Sequence, residues 1–337
     1  MTAGSLAWLT VVLPLHDAAA YVDDVLVRVG RLADAGAEVL VVDDGSRDTT
    51  GASVGAAAAA HPGVVAVLLE ENVGVARARN VALGRATREY VWLVDGDDVW
   101  APDVVDLLTR VRGEDGADVI AFGADRCGTD GRLRRADTFA APGLYSREEA
   151  LSLLASGGLH GFLWSKLVRR AVLPPDPFPA TRSQSDFVGV VAILDRSSSV
   201  RVVGETLYRH VERDGSITRS RAADASNLLR AHDALLAVAD LTEAERRAFS
   251  LWFYLAPSVA TALRTEADDA EVARLVGDLR AATTWRDVAL AAPAHPRAAA
   301  VTGAVRLLGP AFPPIYRRLR QGRAALRRGV TSRGPHR

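Results

Sequence analysis

The stretch Val91-Trp92-Leu93-Val94-Asp95-Gly96-Asp97-Asp98-Val99-Trp100 decides how the rest of the chain is read. Its first half is an apolar run with β-branched residues, which predicts a buried strand over Tyr90–Val94. Its second half packs three carboxylates into four residues. Such a group does not enter a core without counter-charge, so the strand must deliver it to an open edge. Along an extended chain Asp95 and Asp97 point the same way, and Gly96 lets the backbone bend between them. Hard oxygen donors on a tight turn suit Mn2+ or Mg2+ shared with phosphate oxygens. The same residues also read as a solvated acidic turn ahead of a helix that starts near Pro102.

The neighbouring segments repeat the pattern. Strands are expected at Trp8–Leu13, closed by Pro14, at Glu38–Val42 and at Val64–Leu69. Helical spacing of apolar residues predicts helices at Ala18–Leu32, Asp48–Ala60 and Val75–Ala86. Short apolar strands alternating with helices predict an α/β fold, a mostly parallel sheet covered on both faces. Ligands of such sheets sit beyond the carboxyl ends of the strands. The polar residues fall there: His16-Asp17, Asp43-Asp44-Gly45-Ser46 and Asp95-Gly96-Asp97-Asp98. Three such loops would converge on one crevice. Asp43–Ser46 has two readings, a turn with Ser46 or Asp48 capping a helix, or a carboxylate that accepts from a nucleobase or ribose. Gly74 permits a tight turn, and Arg77 and Arg79 follow at the start of a helix. Arginine there is unfavourable unless an anion offsets it. A diphosphate would supply one, and so would Glu70 or Glu71.

Composition bounds the answer. The chain has 337 residues, 49% hydrophobic and 24% charged, which suits a globular protein with one large domain plus an appendage, or two domains. A net charge of +0 gives no general attraction to nucleic acid. The single cysteine, Cys127, excludes an internal disulfide and a Cys-rich metal site, and a reducing cytoplasm is expected. Leu6–Leu15 is apolar, but no basic residue precedes it and Asp17 follows, so it reads as a strand and not a secretory signal. No run of about 20 apolar residues exists; Leu290–Pro313 comes closest and is broken by Arg297, Arg306 and prolines. Lys166 is the only lysine. Codon bias accounts for that, or a role that a guanidinium does not fill.

Four segments in order, VVLPLHDAAAYV (Val11–Val22), DDGSRDTT (Asp43–Thr50), NVGVARARNVALGRA (Asn72–Ala86) and VWLVDGDD (Val91–Asp98), resemble an inverting glycosyltransferase of family 2. The resemblance continues more weakly to about Ser220. It implies the GT-A fold, a Rossmann-like, mostly parallel sheet flanked by helices. It also implies transfer of a sugar from a nucleotide-diphosphate donor, commonly a UDP-sugar, to a hydroxyl of a glycan or lipid-linked acceptor, with Mn2+ or Mg2+. On that footing Pro14 and Asp17 touch the nucleoside, Asp43 and Asp44 the base, and Arg79 the base and diphosphate. Asp95 and Asp97 form the metal pair, with Asp97 in direct contact. The chain departs at His16-Asp17, where the family usually shows Tyr-Asn. Trp164–Arg169 resembles an element before the acceptor side; Lys166 would hold a phosphate, orient an acidic neighbour, or form a salt bridge at a strand end. Gln184-Ser185-Asp186-Phe187 resembles a Glu-Asp pair that opens a helix, with Ser185 in place of the glutamate. Asp186 would then be the base that takes the acceptor proton, and a helix N-terminus favours its ionised form; helix capping is the plainer role. Tyr208–Thr218 resembles a closing motif in which Arg213 and Ser216 clamp the diphosphate and His210 reaches metal or phosphate, although a lone histidine is more often structural.

The expected organisation is a transferase domain over 1–221, with a nucleotide half to about 100 and an acceptor half beyond, followed by a helical region over 222–337. Helices are expected at Asn227–Val238 and Glu243–Leu263. After Asp287 no Asp or Glu occurs. Ile315, Leu319 and Leu326 would line one face of a helix flanked by Arg317, Arg318, Arg320, Arg323, Arg327 and Arg328. Such a helix would lie on an anionic membrane, pack on the domain, or bind an acidic partner. The expected location is the cytoplasm, free or on the inner face of the plasma membrane. A non-catalytic nucleotide-sugar or glycan binding protein on the same fold is the alternative. A dinucleotide-dependent dehydrogenase fits poorly, because no G-x-G-x-x-G follows the first strand.

Overall fold

Apolar strands that end in polar loops pair in parallel through the first half of the sheet and in mixed directions through the second. The computed structural model describes residues 5–113, 116–137, 139–181, 183–212, 225–265 and 267–320. Its strands are β1 (Leu9–Leu15), β2 (Glu38–Asp43), β3 (Val64–Leu68), β4 (Tyr90–Leu93), β5 (Val99–Trp100), β6 (Val119–Gly128), β7 (Leu133–Asp137), β8 (Gly143–Ser146), β9 (Lys166–Arg169) and β10 (Ser199–Glu212). Its helices are α1 (Val22–Asp34), α2 (Thr50–Ala60), α3 (Val75–Leu83), α4 (Val104–Arg112), α5 (Arg147–Ser156), α6 (Ser185–Arg196), α7 (Ala225–Val238), α8 (Glu243–Phe249), α9 (Ala256–Thr265), α10 (Asp269–Ala282), α11 (Trp285–Ala291) and α12 (Pro296–Leu308). The chain forms two compact units, Met1–Ser216 with Ala237–Asp240, and Ile217–Leu236 with Leu241–Arg337.

The first unit holds the sheet, in the order β3-β2-β1-β4-β9-β6-β10-β5, with β7 beside β6 and β8 beside β10. The pairs β3-β2, β2-β1 and β1-β4 are parallel. β9 then runs antiparallel to both β4 and β6, β10 runs parallel to β6, and β5 closes the order antiparallel to β10. Val11, Leu13, Val39, Val41, Trp92 and Phe122 lie in one buried core. Trp92 packs against Trp100, Phe122 and Tyr208, and its indole Nε1 donates to the Trp164 carbonyl at 2.8 Å. That bond lets a large aromatic stay fully buried.

Several boundaries shift by a few residues from the sequence reading, and two of the shifts have a visible cause. Pro14 does not close the first strand; β1 runs on to Leu15 in register with β2. Trp8 and Val12 accept amides from the β4 side and Leu15 from the β2 side, so position 14 faces β4. Pairing with β4 stops at Val12, and no ladder bond is lost to proline. The first helix starts at Val22 rather than Ala18, because Asp17 to Ala19 are bonded to the loop after β2.

The second unit is helical. Val259, Leu263, Leu275, Leu279, Val305 and Phe312 form its main core. The helix expected over Glu243–Leu263 is interrupted: Ser250–Leu255 widens into a π-helical turn between α8 and α9. Pro257 lies two residues beyond it; it cannot donate to the carbonyl four residues back, and a wider turn accommodates that loss. Residues 312–320 are helical. There Ile315 and Leu319 are exposed, Arg317 bonds Asp269, and Arg320 bonds the carbonyls of Leu263 and Arg264. Arg323, Leu326, Arg327 and Arg328 lie outside the described residues. Among the described residues no helix is long and apolar enough to cross a membrane.

Candidate active site

The loops after β1 and β2 are stitched together by their own polar residues. The Asp17 amide donates to Ser46 Oγ (2.9 Å), and the Arg47 amide returns a bond to Asp17 Oδ1 (2.9 Å). The Ala18 amide donates to Thr50 Oγ1 and the Ala19 amide to Asp48 Oδ2. His16 Nδ1 lies 2.8 Å from the Asp44 carbonyl, which gives this departure from the Tyr-Asn pattern a structural use. The Asp44 carboxylate accepts from the amides of Val73 (2.8 Å) and Gly74 (2.9 Å). Asp43 accepts from the Ser46 amide. So the carboxylate expected at the base clasps the turn that starts α3. Gly45 makes the close approach feasible: its φ is +63°, and a Cβ there would fall 2.3 Å from the Glu71 carbonyl carbon.

The clasped turn aims α3 at the acidic strand end. Arg79 is buried, and its guanidinium donates to Asp95 Oδ1 at 2.5 Å and to Asp186 Oδ1 at 2.6 Å. The anion that an arginine at this helix start requires is therefore a pair of carboxylates, neither of them Glu70 nor Glu71. Burial opposes the charge on Arg79, yet the two carboxylates override it and hold its pKa above the ordinary value. Asp95 is pushed up to about 6, by burial first and then by the Asp98, Asp186 and Asp97 carboxylates, against the pull of Arg79. Asp186 stands in the first turn of α6. Ser185 Oγ lies 3.3 Å from its Oδ1, and the preceding Gln184 is left-handed at φ 65°, a conformation that costs energy for a residue with a Cβ.

Asp98 was not singled out by the sequence, and it is the best-buried carboxylate of the motif, with no exposed surface. It accepts from His210 Nδ1 (3.0 Å) and the Val211 amide (2.8 Å). Burial opposes a charge on His210, but the bond to Asp98 outweighs it and lifts the imidazole pKa. Tyr208 accepts from the Asp95 amide at 3.0 Å; burial, with the Asp98 and Asp95 charges, pushes its phenol well above its usual range. The Trp164 ring stacks on Phe162 (4.8 Å), Tyr208 (4.9 Å) and His210 (5.8 Å).

The donor set suits a divalent cation. Asp95 and the half-buried Asp97 offer oxygens on one turn. His210 has its Nδ1 held by a carboxylate, the usual arrangement of an imidazole that ligates through Nε2. The Asp97, Asp98 and Asp186 carboxylates raise the cost of ionising Asp95, and Arg79 donates to Asp95 and Asp186. Among the described residues no three such side chains are grouped as a ready-made metal cage.

Lys166, read from the sequence as a phosphate holder, an orienter of an acidic neighbour or half of a salt bridge, turns its donors inward. Its Nζ donates to the carbonyls of His160 (2.5 Å) and Phe162 (2.8 Å) and to Ser165 Oγ (3.3 Å), and the residue is 1% exposed. Its donors all go to protein acceptors of one turn, and among the described residues it forms no ion pair. Burial lowers its pKa to about 7, with Asp186 opposing. Pro14 lies within β1, next to Leu15, whose side chain Gly96 approaches. Arg213 and Ser216 lie outside the described residues.

Residues 10–173 match the model of Glycosyl transferase family 2. The putative teichuronic acid biosynthesis glycosyltransferase TuaG of Bacillus subtilis (strain 168) is 27% identical over 217 residues, covering 64% of this chain and 83% of that one. Three other bacterial glycosyltransferases also match, and the chain spans 39%, 66% and 37% of their lengths. Among solved structures, S. aureus TarS 1-349 in complex with UDP-GlcNAc superposes with a TM-score of 0.65 at 20% identity, over 88% of this chain and 90% of that one. The mannosyltransferase PcManGT from Pyrobaculum calidifontis, in complex with GDP-Man and Mn2+, gives 0.51 at 17% identity, over 89% and 87%. Both likenesses extend through the helical region and show the fold.

Proposed function

Because residues 10–173 belong to glycosyl transferase family 2, we propose that the chain transfers a sugar, with inversion, from a nucleoside-diphosphate donor to a hydroxyl of a glycan or lipid-linked acceptor. One observation carries the reading: a single buried guanidinium, Arg79, holds Asp95 of the strand-end motif and Asp186 of α6 at 2.5 and 2.6 Å. Residues 107 positions apart in sequence thus meet. An inverting transfer needs one carboxylate at the acceptor and compensated charge at the departing diphosphate, side by side. Asp186 is the base; Arg79 and Ser185 engage its Oδ1 and leave Oδ2 to receive the acceptor proton. Pro14, Asp17, Asp43 and Asp44 frame the nucleoside, with Asp44 acting by holding the Val73–Gly74 turn. A UDP-sugar is the favoured donor, as in the TarS complex with UDP-GlcNAc, and a cell-envelope glycan is the favoured acceptor class, after the teichuronic acid relative.

Asp97, Asp95 and His210 Nε2 would hold Mn2+ or Mg2+. Such an ion would neutralise charge growing on the diphosphate as the glycosidic bond breaks. Arg213 and Ser216 would close on the same phosphates. The chain is assigned to two functional parts, a transferase domain to about 221 and a helical region after it, whose basic end would touch an anionic membrane surface. Vesicles rich in anionic lipid, with and without deletion from Pro314, test that contact.

The deciding experiment supplies nucleotide sugars with Mn2+ and several hydroxyl acceptors. Release of the nucleoside diphosphate with an inverted anomeric centre in the product, read by NMR, supports the reading. Retention of configuration sinks the base assignment. Tight binding without turnover of any donor, hydrolysis included, makes the chain a nucleotide-sugar binding protein instead.

A further inference from the structure

Lys166 is the one lysine among 41 formally cationic side chains, and it is buried with no ion pair among the described residues, although Asp186 lies near enough to act on its charge. An ammonium has three donors, and here they go to His160 O, Phe162 O and Ser165 Oγ. All three acceptors belong to one turn, residues 160–165. The point-like ammonium fits inside that ring of acceptors; a planar guanidinium with a fixed fork does not.

The turn touches the site on two sides. Trp164 stacks on Tyr208 at 4.9 Å, and the Tyr208 hydroxyl accepts from the Asp95 amide. The Trp164 carbonyl is tied to Trp92 of β4. On the other side, Gly161 lies so close to Phe187 that a Cβ would fall 2.3 Å from Phe187 Cδ2. Phe187 is the residue after Asp186, in the first turn of α6. One short turn thus spans the acidic strand end and the helix that carries the base.

We propose that Lys166 is a positioning residue: it holds the 160–165 turn, and through that turn it sets the distance between Asp186 and the Asp95 turn, touching neither donor nor acceptor. This rests on the transferase reading above. Losing the ammonium would leave the His160 carbonyl without this donor and the Phe162 carbonyl with the Ser165 hydroxyl alone, and unmet acceptors away from water force local rearrangement. Misplacing catalytic groups by about 1 Å costs on the order of 10²-fold in rate.

The full chain is tested as Lys166→Met and Lys166→Arg, with Ser165→Ala as a milder variant that keeps the two carbonyl bonds. Both lysine variants should lose on the order of 10²-fold in kcat. Their donor KM, and the thermal shift induced by UDP with Mn2+, should stay within about twofold. Ser165→Ala should lose much less. Loss of donor affinity in step with kcat would make Lys166 a donor contact and overturn the proposal, as would wild-type kcat in Lys166→Met. Hydrogen exchange supplies a readout that needs no substrate: amides of 160–165 and 186–189 should exchange faster in Lys166→Met, while those of β2 do not change. Unchanged exchange at both segments sinks the proposal even if transfer is never seen. A wild-type chain that transfers nothing, with exchange altered as stated, would sink the transferase reading and leave Lys166 the holder of the turn.

Discussion

The two halves of the sheet place their functional residues by opposite means. In the parallel half, β3-β2-β1-β4, side chains at the strand ends bind the backbone of neighbouring loops. Asp17 takes the Arg47 amide, Asp44 the Val73 and Gly74 amides, and Asp48 the Ala19 amide. These contacts span about 30 residues and build a rigid rim. In the mixed half, side chains meet side chains over far greater separations: Arg79 with Asp186 over 107 residues, Asp98 with His210 over 112. The first half builds the rim on which the proposed donor would lie, and the second brings charge and aromatic rings to it. Rim substitutions should therefore cost stability and donor affinity together, whereas substitutions at imported residues should separate rate from fold.

Asp186→Asn offers the largest contrast. It keeps the side-chain shape and an oxygen for Arg79, so melting temperature should change little. Transfer should fall by about 10²–10⁴-fold, the usual worth of a positioned base. Steady-state rates beside a melting curve check both. A rate near wild type would move the base elsewhere. Arg79→Met comes next. It leaves Asp95 and Asp186 facing each other without a cation, and breaking such a buried arrangement costs about 3–5 kcal/mol. Urea denaturation measures that, and activity should be lost with it. A stable Arg79→Met chain would mean that the clamp does not hold the halves together.

Asp44→Ala breaks the rim itself. Two amides lose a charged acceptor, which costs about 2–6 kcal/mol at roughly 1–3 per unmet group. Asp44→Asn, which retains one acceptor, should cost less. If the carboxylate instead met only a ligand, both variants would unfold as the wild type does in urea and differ only in donor affinity.

The contrast also explains what the sequence could show. The parallel half was legible because its strands are unbroken apolar runs and its loops carry clustered Asp, Gly and Ser. Asp95 and Asp186 could be named from motifs, but their union by Arg79 could not, since no local pattern records a contact across 107 residues. Asp98 looked like the third member of an acidic turn; only the fold brings β10 beside it, with His210 and Val211. Asp44 looked like a ligand group because acidic residues after a second strand often are, and the turn that consumes it comes 29 residues later. Lys166 read as a phosphate holder, an orienter of an acidic neighbour or half of a salt bridge. A lone lysine in an arginine-rich chain was the one available signal, and it pointed to the residue without revealing its partners. The helix break at Ser250 could have been foreseen from Pro257.

Lys166 also sharpens the comparison by pH. Its folded pKa, about 7, lies below the ordinary lysine value because of burial. The unfolded chain then binds more protons between about pH 7 and 10, so the contribution of this group to stability rises with pH across that window. Asp186 on α6 and His160 on the same turn face it; His160 is itself kept down at about 4 by burial, so it does not titrate there, and Asp137, Arg126 and Arg135 stand beyond His160. Wild type should gain about 2 kcal/mol relative to Lys166→Met between pH 7 and 9. Paired melting curves at the two pH values read this. Parallel curves would mean that the ammonium is no harder to keep inside than in water.

Ser146→Ala should have the smallest effect, and it tests whether every local contact of the mixed half is merely structural. Ser146 caps α5: its Oγ accepts the Glu149 amide at 3.2 Å, and Glu149 returns a bond to the Ser146 amide at 2.7 Å. The box satisfies two orphan donors at the start of a helix, and losing such a cap costs about 1 kcal/mol. Ser146 also ends β8, which pairs with β10 through Ser199, while Tyr208 and His210 lie further along β10. If the imported residues owe their placement to the long-range contacts named above, a frayed α5 will lower the melting temperature and leave kcat and donor KM as they are. A fall in kcat at constant donor KM would instead trace a path from β8 along β10 to Asp98, and the mixed half would then act as one mechanical piece rather than as a set of separate tethers.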